Sequence, residues 1–179
     1  MDIDYGPLTK LIGTWKGDKG TDIAPDPEEE KEVNTFYETI VYTGIGTVTN
    51  AEEQTLAALH YVLNINRIGD NAPIHHQTGY WMWDKEHDEV TYSLAIPRAV
   101  CVVASGKAVE SEGSTSLVVT TGISGVVQTE FMSKKAKTTS FTKTLKISGD
   151  TLHYFETTMV DIYGKSFEHT DENTLTRVK

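Results

Sequence analysis

The run HHQTGYWMWDKEHDEVTYSLAIPRAVCVVASGKAV, His75–Val109, decides the fold. It holds three stretches rich in aromatic and β-branched residues, HHQTGYWMWD, EVTYSLAIP and AVCVVASGKAV, and the polar turn DKEHDE joins the first two. Short stretches of this composition, broken by turn residues, are strands rather than helices. Outward from this run the cadence continues. FYETIVYTG and LAALHYVLNINR precede it, and STSLVVTT, FMSKKAKTTSFTKTLKIS, DTLHYFETTMVDIYG and NTLTRVK follow it. NRIGDNAP, ESEGS and SGDT supply the Gly, Asn and Asp that tight turns require. About nine segments, spaced roughly 10–15 residues apart, have the cadence of an all-β, antiparallel sandwich or barrel.

The 179 residues suit one domain, 1–179, large enough to bury an apolar core. Lys and Arg number 16 against 26 Asp and Glu, a net charge of -10. Such a surface repels nucleic acid and anionic membrane. No apolar run approaches the roughly 20 residues of a membrane helix, and the acidic start MDIDYGPLTKLIG lacks a signal-peptide layout, so the expected location is cytoplasmic. A single cysteine, Cys101, sits in AVCVVA and reads as a buried, reduced thiol. Helical signal is confined to the start, where Leu8, Leu11 and Ile12 in YGPLTKLIGTW give a short amphipathic turn able to cover one end of a barrel. TDIAPDPEEEKEV reads as a solvated loop, and AEEQTLAALHYVL as either helix or strand.

Strand alternation puts His75, Gln77, Gly79, Trp81 and Trp83 on one face and His76, Thr78, Tyr80 and Met82 on the other. Only one of the paired histidines can therefore enter a cavity. The chain has no glycine-rich phosphate loop, paired-cysteine zinc site, H-E-x-x-H helix or G-x-S-x-G elbow, which removes the usual nucleotide-enzyme and hydrolase signatures. His60, His87 and His153 read as structural or surface residues. GTW, Gly13–Trp15, with the late Arg177, resembles the closure signature of lipocalin-type and fatty-acid-binding barrels, in which a guanidinium stacked on the indole seals the first strand against the last.

Read in order, GTWKG at Gly13–Gly17, APIHHQTGYW at Ala72–Trp81 and FEHTDENTLTRV at Phe167–Val178 resemble the nitrobindin family of heme-binding β-barrels. These look like shortened lipocalin or fatty-acid-binding-protein barrels, so the resemblance implies an all-β fold with a single antiparallel up-and-down β-barrel. The resemblance implies heme b as cofactor, with His169 at the position of the axial iron ligand. His75 matches the histidine on the distal side, and Met159 is the candidate for a methionine that approaches the heme from the penultimate strand. It also implies binding of nitric oxide and isomerisation of peroxynitrite to nitrate. Asp171 or Asn173 would hydrogen-bond the His169 imidazole, as acceptors do behind metal-bound histidines. The segment DKGTDIAPDPEEEKEV and the longer TGIGTVTNAEEQTLAALHY depart from the family pattern, and both flank the cavity in its members. The rival reading is a non-catalytic carrier of one small apolar, fatty-acid-like ligand. A third is a dimerising barrel with a purely structural role.

Overall fold

Ten segments alternate inward apolar and outward polar residues, and each becomes an antiparallel strand in the computed structural model, which describes residues 3–179. In chain order they are β1 (Gly13–Ala24), β2 (Glu32–Asn50), β3 (Gln54–Arg67), β4 (Pro73–Asp84), β5 (Glu89–Ile96), β6 (Val100–Ser111), β7 (Ser114–Gln128), β8 (Ala136–Ser148), β9 (Thr151–Ile162) and β10 (Lys165–Arg177). One short helix, α1 (Glu130–Lys135), joins β7 to β8, and a 3-10 helix, Gly6–Leu11, precedes β1. Every strand pairs with the next in sequence, and β1 pairs with β10, so the sheet closes into a barrel with no free edge.

The closure has the chemistry expected of it. Trp15 faces Arg177 across the β1–β10 ladder, and the guanidinium lies 4.1 Å from the indole centroid. Arg177 Nη1 and Nη2 donate to the carbonyls of Ile12 and Lys10 at 2.6 and 2.7 Å, and Trp15 Nε1 donates to Leu11 O at 2.7 Å. The 3-10 helix is thereby fastened under the barrel, where Leu8 and Leu11 join Trp15, Leu59, Trp81, Leu117, Leu145, Leu152 and Leu175 in a solvent-free core. With this end packed, the interior of the barrel opens at the other end, among the loops after β1, β3, β5, β7 and β9. Gly20 belongs to that design: a Cβ there would stand 2.2 Å from the Phe36 ring, so only glycine lets the ring fold inward beside the irregular β1 register.

Two expectations give way to packing, and one ambiguity is resolved. FMSKK is not the start of a strand: Thr129 caps a helix by accepting from Met132 N, and the strand begins only at Ala136. Cys101 is exposed, because Val100, Val102 and Ala104 hold the inward phase of β6 and place Cys101 on the outer face. The ambiguous AEEQTLAALHYVL is strand from Gln54 onward, after a turn in which Ala51 and Glu52 adopt φ of 51° and 61°. Among the described residues no helix is long and apolar enough to cross a membrane.

Candidate functional site

At the open end the inward phases of nine strands, joined by Met132 from α1, surround a cavity of about 430 Å³. Much of its lining is apolar: Phe36, Leu63, Ile65, Leu94, Val102 and Val160 are among the contributors. This volume is within the range of roughly 300–1,000 Å³ typical of small-molecule sites.

Two histidines enter it from facing walls. His169 comes from β10 and His75 from β4, and around the barrel these strands are separated by β1, β2 and β3 on one side and by five strands on the other. His76 is exposed, as alternation requires once Gln77 and Trp81 are buried. The uninvolved histidines lie outside: His60 pairs with Thr78 Oγ1, His87 with Asp84 and His153 with Glu172.

His169 is held by a residue that the sequence did not single out. Its Nε2 lies 2.6 Å from Asp22 Oδ1, and Asp22 Oδ2 accepts from Asn34 Nδ2 at 3.1 Å. Asp171 Oδ2 is farther from the ring, at 3.5 Å, and Asn173 turns away to donate to Glu38 at 2.8 Å. The expected acceptors, Asp171 and Asn173, are thus replaced by a carboxylate 147 residues away, from the segment that departs from the family pattern. Burial alone would lower the His169 pKa. The Asp22 hydrogen bond and the charges of Asp171 and Asp22 outweigh it and hold the ring above its ordinary value.

Below the histidines runs a belt of polar groups in adjacent register: Asn34, Asp22, Asp171, Glu156 and Lys143 face one another across β2, β1, β10, β9 and β8. Lys143 donates to Glu156 at 2.5 Å, and its ammonium lies 4.3 Å from the Tyr154 ring centroid. Burial opposes the charge on Lys143, but Glu156 more than compensates and raises its pKa. Burial, with Glu156 opposite, pushes Asp171 well above the carboxylate range. Deeper still, burial raises Glu38 to about 7 despite hydrogen bonds from Asn173 and Tyr154. On the His75 side, Gln77 bridges the histidine to the hydroxyls of Tyr61 and Tyr92. Burial lowers the pKa of His75.

Met159 does not join the site. On β9 the cavity is lined by Tyr154, Glu156, Thr158, Val160 and Ile162, and Met159 falls on the opposite phase. The register shift beside it lies on β8 at Thr139, which leaves the alternation of β9 intact. Met132 supplies the thioether at the cavity instead. Lys143 was legible in principle: KTTSFTKTLKIS places it in phase with Phe141, Leu145 and Ile147, an inward charge that needs a partner. Asp22 carried no such signal.

Among solved structures the fold is similar to that of Rv2717c from M. tuberculosis, with a TM-score of 0.76 and 20% sequence identity over 99% of this chain and 100% of that one. No curated protein matches the chain. The model of the THAP4-like, heme-binding beta-barrel domain matches residues 4–177, nearly the whole sequence. The ten-strand barrel, the cavity at its open end and this match agree, and the chain belongs to the THAP4-like heme-binding β-barrel domain family.

Proposed function

We propose that this protein binds ferric heme b in its cavity with His169 as the iron ligand, and that the loaded protein binds nitric oxide and isomerises peroxynitrite to nitrate. The observation that carries the reading is the pair of histidines, His169 and His75, entering one largely apolar cavity from nearly opposite walls. A flat ring between them would meet an imidazole on each side.

The charge distribution suits that group. The Asp22 carboxylate lies on the His169 side, where a ferric centre would bring positive charge. Arg67 and Arg98 line the mouth, where propionates would sit. When bound, the group would supply an iron atom with a coordination position for a nitrogen oxide. The chain's own residues do the rest. Asp22, fixed by Asn34, orients the His169 ring by accepting the Nε2 hydrogen, and the ring would donate to a metal from its other nitrogen once that nitrogen has lost its proton. Leu63, Ile65, Leu94 and Val102 exclude water from the interior. His75 stands on the opposite wall, where it would offer a polar group to a small ligand.

A fatty-acid-like carrier is the weaker reading. The cavity ends on Gln77, Glu156 and the Lys143 ion pair, and below them the barrel is filled by tryptophan and leucine. A long alkyl chain would have to desolvate those charges to go deeper. Titration of purified apoprotein with hemin, followed by visible absorption, tests the proposal. A saturable one-to-one Soret shift, lost in His169→Ala with the far-ultraviolet circular dichroism retained, is expected. A shift unchanged by that substitution overturns His169 as the ligand, and no saturable shift overturns heme binding.

A further inference from the structure

The hydrogen bonds beneath His75 fix more than its position. The amide nitrogen of Gln77 lies 2.6 Å from the hydroxyl oxygens of both Tyr61 and Tyr92, and those two oxygens are 2.7 Å apart. Three contacts this short each need one hydrogen. With nitrogen at that end of the amide, Gln77 supplies two and one tyrosine supplies the third. With oxygen there instead, the two hydroxyls would have two hydrogens for three contacts, and one pair of lone-pair-bearing oxygens would be pressed together in a buried site. The amide orientation is therefore set by counting, not by convention.

The other end of the amide follows. Gln77 Oε1 faces His75 Nε2 at 3.1 Å, and a carbonyl oxygen only accepts, so Nε2 carries a hydrogen. A neutral imidazole has one N–H. Among the described residues Nδ1 of His75 has no hydrogen-bond partner, and it is the ring's remaining polar atom.

We infer that Gln77, clamped by Tyr61 and Tyr92, is a positioning residue that locks His75 in its Nε2–H tautomer and makes it a hydrogen-bond acceptor toward the cavity, selecting ligands that carry a proton on oxygen. Water, a hydroperoxide and peroxynitrous acid belong to that class; nitric oxide and the peroxynitrite anion do not. Burial, which holds the His75 pKa below its usual value, favours the neutral ring that the lock requires. Protonated, the ring would donate from both nitrogens and the selectivity would vanish. The tautomer stands on the apoprotein alone, whereas the ligand class rests on the heme reading above.

Two-bond ¹H–¹⁵N correlation spectra of labelled apoprotein, with the His75 ring identified by its disappearance in His75→Ala, measure the tautomer directly. The wild type is expected to show the Nε2–H pattern. Gln77→Leu removes the acceptor, and Tyr61→Phe leaves only the Gln77–Tyr92 contact, which either amide orientation satisfies; both are expected to move the ring toward the Nδ1–H form or an average. Tyr61→Phe keeps the aromatic packing, so it carries the test if Gln77→Leu does not fold. An Nδ1–H ring in the wild type overturns the inference, and so does an Nε2–H ring unchanged in folded Tyr61→Phe. A failed hemin titration leaves this result untouched. In hemin-loaded protein, His75→Ala is expected to slow hydrogen peroxide binding by about tenfold, the weight of one hydrogen bond, while nitric oxide binding changes little. Equal slowing of both overturns the ligand class.

Discussion

Glu38 is 2 % exposed, wedged between Asn173 and Tyr154, with no cation in direct contact. Its pKa is raised from 4.5 to about 7, chiefly by burial. The unfolded chain releases the proton first, so the neutral side chain favours the fold fully below the unfolded pKa, and that contribution is lost as pH rises through the folded one. Replacing it with the neutral isostere removes the dependence. Glu38→Gln is expected to gain on the wild type between about pH 5 and about pH 8, by up to about 3 kcal/mol, in urea unfolding at the two pH values. A difference that stays constant with pH would show that Glu38 remains ionised throughout. Neighbouring Lys143 differs because it has its partner: burial opposes its charge, but Glu156, which accepts from it, more than compensates and raises its pKa. Of these residues, alternation revealed that Lys143 points inward, but nothing in the sequence named Glu156 as its mate. That pairing depends on register between β8 and β9.

At the scale of elements, alternation was the reliable guide wherever a strand was regular. It set His75 and His76 on opposite faces without saying which looks inward, and the structure turns His75 into the cavity; it also puts Met159 in phase with His153 and Phe155, opposite Leu152 and Tyr154. The resemblance proposed Met159 for the cavity against that phase, and the phase won, because the only bulge nearby belongs to β8. Helix α1 was missed since its six residues offer no periodicity beyond one turn, and its cap lies in QTEFMSKK, a stretch that also suits a strand end. The β1–β10 seam was visible as Trp15 and Arg177 and is the element contact most open to test. Arg177→Ala removes the stacking on Trp15 and two charged hydrogen bonds to carbonyls, an expected loss of about 2–4 kcal/mol in unfolding free energy. Hemin titration of the same variant should be unchanged, because Arg177 lies at the packed end; a weakened titration would mean that the seam controls the cavity.

For the whole molecule, a ligand that binds only the folded barrel must stabilise it. Hemin at about 100 times its dissociation constant is expected to add about 2.7 kcal/mol, read as a rise in the melting midpoint that His169→Ala abolishes. An equal rise in the variant would place binding elsewhere. Closure of the sheet is what creates such a site. It brings β1 beside β10, so that Asp22 meets His169 across almost the full length of the chain, and it sets His75 against His169 with three strands between them on the shorter path. The sequence by itself determined the all-β, antiparallel class and the opposite faces of His75 and His76, which follow from strand periodicity and turn chemistry, and its motifs carried the resemblance that pointed to a closed barrel, the Trp15–Arg177 seal and the candidacy of His169. Only the tertiary structure decided that Asp22 holds His169, that Met132 replaces Met159 at the cavity, that Lys143 meets Glu156 and that Gln77 is clamped by Tyr61 and Tyr92. Those contacts join residues far apart in the chain, and their partners are fixed by ladder register and barrel closure, which no local pattern encodes.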